Sequence, residues 1–485
     1  MPRLALFIFL ALTVLGVQPA SARPPYPVHF DFKAGEAFAF VGDETTYDGR
    51  YCQYVENFFY TRYPDRKLIF YNAGCLNDTA SDALVRFSED VIERKIDYAI
   101  IQLGTWDGEF LDYSPEHFER YKKGMTGILS KIDGIQATPF LMSPPMFDRL
   151  TRERRMSDDT FRYRLKEMSP NYNGVMGFYT SWLREEAVIR GVRFIDAWGS
   201  LNAHVMHERQ INPEFSLTPD SVQPDAGGHA VMAAEVIQTL SLERESIGSV
   251  RLNYVNAEKG WESQTEGGAI TEVSGSSTRV SFIWKPISLP WALPGEASFG
   301  VEIAKIDERF NHEIVRVSGL VPNRYELLIA GELVGEEFYT DQQLLEGIAL
   351  HDLPERPQFS RARLVAQMNS ERYETAIRPL RDLWQKVKRT RVNFPDDKTR
   401  LTSLMTELKP QMEALRLQSR EKADKIYEAA KPLGRHFEIR TYLTPEERKV
   451  LEAARKKAEA EAAAKKKAEE EAAAKKKAEE ANSNS

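Results

Sequence analysis

Apolar and polar positions divide the chain into stretches of different rhythm. Between residues 23 and 248, short apolar runs alternate with segments whose apolar residues recur at helical spacing. The runs at 37–41, 68–71, 98–103, 138–142 and 193–195 predict strands. The amphipathic segments at 50–62, 79–94, 115–132, 172–190 and 227–240 predict the helices between them. Strand and helix in alternation predict an α/β body, a parallel sheet covered on both faces.

From residue 249 the rhythm changes. Gly275-Ser276-Ser277 is turn chemistry, and Val280, Phe282 and Trp284 then alternate with polar neighbours. Residues 312–319 and 325–331 have the same texture, so a small antiparallel β module is expected over 249–353. Helical periodicity returns over 354–443. Leu380, Leu383, Trp384 and Val387 make one stripe, and Leu401, Leu404, Met405, Leu408, Met412 and Leu415 another, which predicts a helical hairpin. The last stretch, 444–485, opens with Thr444-Pro445, a helix start, and then repeats Ala, Glu and Lys. Glu461 and Lys465, like Glu471 and Lys475, stand four residues apart and support an isolated helix. With no apolar stripe, a solvated rod is expected there.

The first residues form a separate segment. Arg3, an apolar run over 4–17 and Ala20-Ser21-Ala22 predict a signal peptide over 1–22, cleaved before Arg23. The other reading is a membrane anchor, but the run is short of the roughly 20 residues a span needs. The expectation is export to a periplasmic, cell-surface or extracellular location, with no transmembrane segment after cleavage.

Composition alters this picture little. A chain of 485 residues, 42% hydrophobic, can bury substantial cores, and a net charge of −7 gives no electrostatic case for nucleic acid. Cys52 and Cys75 either pair in an oxidising compartment or sit as two buried thiols, and neither has metal-ligand spacing around it. No cofactor and no metal is expected. Trp261, Trp284 and Trp291 suit a β-module core or a platform for stacking carbohydrate.

Candidate chemistry gathers where the predicted strands end, the edge at which open α/β sheets bind ligands. Four blocks reach that edge: Phe40-Val41-Gly42-Asp43-Glu44, Asn72-Ala73-Gly74-Cys75-Leu76-Asn77-Asp78-Thr79, Gly104-Thr105-Trp106-Asp107, and the segment from Thr218 through Asp220, Ser221, Gln223 and Pro224 to His229. In order and content they resemble the SGNH, or GDSL-type, hydrolases, which include esterases and carbohydrate acetylesterases. The resemblance spans about 37–240 and implies a flavodoxin-like three-layer parallel sheet.

The resemblance also implies roles. The family's serine nucleophile falls at Glu44, its oxyanion glycine at Gly74 and its oxyanion asparagine at Trp106, beside Asp107. The aspartate that orients the base falls at Asp220, and the base histidine at Gln223. His229 corresponds to a helix histidine that the family often carries after a glycine.

These replacements remove the family's covalent chemistry, because a hydroxyl nucleophile needs a base within hydrogen-bond reach. Glutamine does not take up a proton in the useful pH range, and losing one oxyanion donor costs roughly 10²–10³ in rate. The reading that follows is a degenerate pocket that binds a glycan or an acylated small molecule without cleaving it. One alternative is a rewired hydrolase in which Glu44, with Asp220 or Asp107 close by, has its pKa raised and acts as a base. Ser221 would be a substitute nucleophile without an evident histidine, and His204 and His207 read as surface residues. A structural envelope protein with a filled pocket is the third reading, and a buried ion pair between Glu44 and an arginine would favour it.

Overall fold

A computed structural model describes residues 30–240, 242, 246–353, 358–450 and 453. The expected signal peptide lies outside these residues, as does most of the expected rod. Only the rod's first turn is described: Thr444 and Glu447 exchange capping hydrogen bonds. Among the described residues no helix is long and apolar enough to cross a membrane.

The chain divides into two compact units. The first is built on a five-stranded parallel sheet of β1 (Ala37–Gly42), β2 (Ile69–Gly74), β3 (Tyr98–Gln102), β4 (Thr138–Met142) and β5 (Arg193–Ile195). Their order is β2-β1-β3-β4-β5, the flavodoxin-like arrangement. The helices are α1 (Glu44–Asp48), α2 (Arg50–Arg62), α3 (Ala80–Asp90), α4 (Pro115–Gly134), α5 (Arg149–Arg155), α6 (Tyr172–Arg190), α7 (Ala197–Glu208) and α8 (Ala226–Leu240). Two apolar clusters contain the two faces of the sheet. Phe38, Phe40 and Phe70 belong to one, with α2 and α8, while Ala39, Val41 and Ile101 belong to the other, with α3, α4 and α6. Sequence periodicity foresees all five strands and the long helices. It does not foresee α1 and α5, which are too short to show a period, and it leaves α7 open between loop and helix.

Register brings the chemistry to one edge. Gly42 pairs with both Gly74 and Gln102, so β1, β2 and β3 end level. Both glycines are required sterically. A Cβ on Gly42 would lie 2.0 Å from the Thr46 Oγ1, and one on Gly74 would lie 2.2 Å from the Tyr47 backbone nitrogen.

Two short helices, α9 (Ser298–Ile303) and α10 (Ile306–Phe310), also belong to the first unit; α11 (Asp341–Glu346) belongs to the second. The first unit is completed by α12 (Phe359–Arg372), a π-helical turn (Tyr373–Ile377), α13 (Arg378–Asn393) and α14 (Lys398–Ala429). The apolar stripes of α13 and α14 meet in one cluster around Trp384, Leu408 and Met412. These helices cover the sheet's free edge. Ile69 and Cys75 donate their N–H groups toward β1, so the even-numbered residues of β2 face outward. The carbonyls of Leu68, Phe70 and Gly74 accept hydrogen bonds from Tyr427 at 2.9 Å, Arg372 at 3.3 Å and Arg381 at 2.7 Å. An edge strand with unpaired carbonyls is a template for aggregation, and here side chains occupy it.

The second unit is not the contiguous module expected over 249–353. Residues 288–311 leave it for the first unit, and residues 432–450 return to it. Its strands are β6 (Gly248–Asn256), β7 (Gly260–Glu266), β8 (Gly268–Ser276), β9 (Arg279–Pro286), β10 (Glu313–Ser318), β11 (Arg324–Ile329), β12 (Glu332–Leu333), β13 (Tyr339–Thr340), β14 (Ile348–Ala349) and β15 (Arg435–Thr441). They form two sheets, and β10 pairs with β6 in parallel, so the unit is mixed rather than purely antiparallel. The last strand, β15, lies between β11 and β9, where Phe437 and Ile439 are fully buried. Residues 354–443 are therefore not helical throughout.

The tryptophans separate accordingly. Trp284 is buried in the core of the second unit, and Trp291 in the first, with its indole N–H on the Tyr54 carbonyl at 2.8 Å. Neither is available as a stacking platform. Cys52 and Cys75 are both buried and unpaired.

Candidate functional site

At the end of β1 the chain turns through Asp43 into α1. Asp43 caps that helix: its Oδ1 accepts from the Thr45 N–H at 3.0 Å and its Oδ2 from the Gln102 amide at 3.2 Å. Burial pushes the Asp43 carboxyl up to about 6, against the opposing pull of these hydrogen bonds. This cap presents Glu44 as the first helical residue.

Glu44 does not stand alone. Its Oε1 accepts from Arg162 at 2.9 Å, while its Oε2 is buried with no hydrogen-bond partner among the described residues. Burial raises the Glu44 carboxyl above its ordinary range, the Arg162 guanidinium opposes the rise, and the charge of Asp220 adds to it. Arg162 also donates to Asn77 Oδ1 at 3.3 Å and lies over the rings of Trp106, at 5.4 Å, and Tyr163, at 5.2 Å. One guanidinium thus ties together residues of three of the four blocks. Arg162 is about half exposed, whereas Glu44 is mostly covered.

The other expected site residues divide. Gln223 is beside the turn, its Oε1 accepting from the Thr45 hydroxyl at 3.3 Å. Asp220 is near enough to influence Glu44, but its Oδ1 is occupied by the N–H groups of Val222 at 2.9 Å and Gln223 at 2.6 Å. That bonding holds a tight turn in which Ser221 takes φ +77°. The Ser221 hydroxyl is buried without a partner among the described residues, which gives no support to a nucleophile there.

Gly74 does not present its N–H to the site. It donates that N–H to Asn72 Oδ1 at 2.8 Å, and its lack of a side chain serves the close approach of α1. The second block reaches the site through Asn77, in the left-handed region at φ +55°. Trp106 packs edge-on against Phe110, and its indole N–H is buried without an acceptor.

Asp107 lies beneath the surface, where its Oδ1 accepts the Ala80 N–H at 2.9 Å and caps the approach to α3. Burial drives its carboxyl up to about 8, with Asp43's charge adding to the rise. It is a buried acid, not a surface carboxylate. His229 is also buried: its Nδ1 accepts the Tyr51 N–H at 3.2 Å, its Nε2 lies 3.3 Å from Asp48, and burial lowers its pKa to about 4. His204 and His207 lie on α7, which follows the edge strand β5.

Arg162 and Tyr163 were not foreseen. They belong to the polar stretch between α5 and α6, which has no period, and nothing local distinguishes Arg162 from its neighbour Arg164. Asn77 carried a usable signal, since asparagine beside aspartate favours left-handed turn positions.

The sheet order, the Gly-Asp turn at its edge and the covering helices give the chain an SGNH-hydrolase-like fold of the α/β class. No protein-family model matches the chain. It is similar to an acetylxylan esterase of Geobacillus stearothermophilus, 21% identical over 232 residues, which is 43% of this chain and 96% of the esterase. A gut microbial diltiazem-metabolizing enzyme has the same fold at TM-score 0.69 and 19% identity, over 86% of this chain and 100% of that one. The structural likeness therefore extends well beyond the part shared with the esterase.

Proposed function

We propose that this chain is an exported, non-catalytic relative of the SGNH hydrolases whose strand-end site binds an acylated carbohydrate. The observation that carries the reading is the Arg162–Glu44 pair at 2.9 Å, which puts a neutralised carboxylate where an esterase needs a free hydroxyl. The rest of the machinery is absent in the same way. Gln223 is no base, Asp220 is spent on its own turn, and the Gly74 N–H is already bonded. What remains suits recognition: a partly exposed guanidinium, the Trp106 and Tyr163 rings, and the Asn77 amide as donors and faces for sugar hydroxyls and an acyl carbonyl. The similarity to an acetylxylan esterase supports acetylated xylo-oligosaccharide as the first ligand to try.

The test pairs turnover with binding. The wild-type chain is expected to leave an activated acetyl ester and acetylated xylo-oligosaccharides intact, while titration calorimetry shows saturable binding of the oligosaccharide. Trp106→Ala is expected to weaken that binding about tenfold, in the range of a stacking contact to one sugar or base face. Glu44→Ser with Gln223→His and Trp106→Asn is expected to hydrolyse the activated ester measurably. Binding by neither the wild type nor the variants would leave the envelope-structural reading in its place.

One observation favours a second reading. Glu44 Oε2 is buried and unpartnered, and the carboxyl's proton affinity is raised, which are properties of a general base. Turnover by the wild type that Glu44→Gln abolishes would establish that carboxylate mechanism and end the non-catalytic one.

A further inference from the structure

A cavity of about 250 Å³ runs along the outer edge of β2 beneath α14, away from the strand ends that carry Glu44. Its apolar wall includes Leu68, Phe70, Ile377, Leu380 and Tyr427. Four arginines line it as well, Arg94, Arg372, Arg416 and Arg420. Their charges are incompletely answered. Arg94 and Arg416 share a single carboxylate oxygen of Glu413, at 3.6 Å and 2.6 Å.

The cations lie deeper than their partners. The side chains of Arg94 and Arg416 are 16% and 13% exposed, against 52% for Glu413. Arg94 also touches Glu93, at 3.4 Å, but that carboxylate is 60% exposed and the Arg94 Nε is buried with no hydrogen-bond partner among the described residues. Arg420 reaches the Tyr71 hydroxyl at 3.5 Å. The remaining charges alter the balance little. Arg372 is bound to Glu56 at 2.7 Å, and Asp90, near Arg416, is already held by Arg86 and Arg381. Asp424 lines the cavity, and so does Lys67, which offsets it. Burial and the charge of Arg94 together depress the pKa of Arg416. Two guanidiniums held close together with one half-exposed acid between them are stabilised by an added anion.

We infer that this cavity binds a small organic carboxylate, its head group among Arg94, Arg416 and Arg420 and its apolar body along β2. Size and wall both select that ligand class. An apolar cavity of roughly 150 Å³ holds benzene, so this one takes a short aliphatic or aromatic acid. A phosphate would leave the Leu68, Phe70 and Leu380 surface unfilled and would bring more charge than the site lacks.

The experiment is calorimetric titration of the full chain with hexanoate, with hexanol and inorganic phosphate alongside. Hexanoate is expected to bind saturably at one site and to raise the melting temperature. Hexanol and phosphate are each expected to bind at least about tenfold more weakly, the usual weight of a charge-assisted hydrogen bond. Arg416→Gln should weaken hexanoate by a similar factor and leave hexanol unchanged. Arg420→Gln gives up only a long contact to one hydroxyl, so it stays folded and should also weaken hexanoate. Ala423→Leu, which fills the cavity, should abolish binding of both organic probes. Hexanoate no tighter than hexanol, phosphate tighter than hexanoate, or affinity untouched in Arg420→Gln would each overturn the assignment.

Discussion

At the scale of single residues, the candidate site is governed by who neutralises whom. Arg162 holds the Glu44 carboxyl down against burial, so its removal has a definite sign. In Arg162→Ala the Glu44 pKa is expected to rise further, which carboxyl-region NMR titration or infrared spectroscopy reads directly, and binding of the acetylated oligosaccharide should fall. A Glu44 pKa that does not move would show that the pair is a surface contact without consequence. Asp107 gives a pH signature. Its carboxyl titrates at about 8 in the folded chain, against 3.8 ordinarily, so between these values the folded state holds a proton that the unfolded state has released. Stability must therefore decline as pH rises through that window, by at most about 6 kcal/mol, and level off above it. Asp107→Asn keeps the oxygen that accepts the Ala80 N–H and is expected to flatten this slope, making the variant the more stable protein at pH 8 in urea denaturation.

At the scale of elements, α13 acts as a brace for the loops that bear the site. Arg381 donates to the Gly74 carbonyl at 2.7 Å and to both oxygens of Asp90, which Arg86 also holds. Lys388 joins the carbonyls of Leu76 and Asn77 to Asp78, and Gln385 accepts from the Cys75 thiol. All these groups are on or next to the second block, so the helical segment fixes where Asn77 stands. Removing one member of a buried ion cluster strands the others. Arg381→Ala is expected to cost roughly 3–5 kcal/mol in chemical denaturation. Lys388→Met, nearer the surface and volume-conserving, should cost less and chiefly loosen the site, seen as weaker oligosaccharide binding. Equal costs for the two would contradict a brace built on the buried cluster.

At the scale of the whole molecule, the chain crosses between its two units repeatedly, and the last crossing matters most. Strand β15 supplies neighbours to both β11 and β9, so the larger sheet of the second unit has residues 435–441 in its interior. A chain ending at residue 431 should lose that sheet. The near-ultraviolet signal of Trp284, packed in the same core, should disappear while the first unit keeps its own cooperative melting transition. Retention of the Trp284 signal in the truncated chain would show that β11 and β9 can close over the gap.

The sequence alone determined the α/β body and the edge at which its chemistry gathers. Apolar runs such as those of β1 and β4, separated by amphipathic helices, are local patterns, and parallel pairing follows from their alternation. The identities at 44, 106 and 223 were equally legible, because a motif is a local string. The alternation that buries Phe437 and Ile439 in β15 was present as well, but seven residues beyond a long helix gave no hint of a partner more than a hundred residues earlier. Only the tertiary structure decided what surrounds each identity. Arg162 reaches Glu44 across 118 positions of sequence, the Gly74 N–H is taken by Asn72, and Asp107 sinks out of reach. These outcomes depend on burial and on distances between segments remote in sequence, and neither is encoded in any single stretch of the chain.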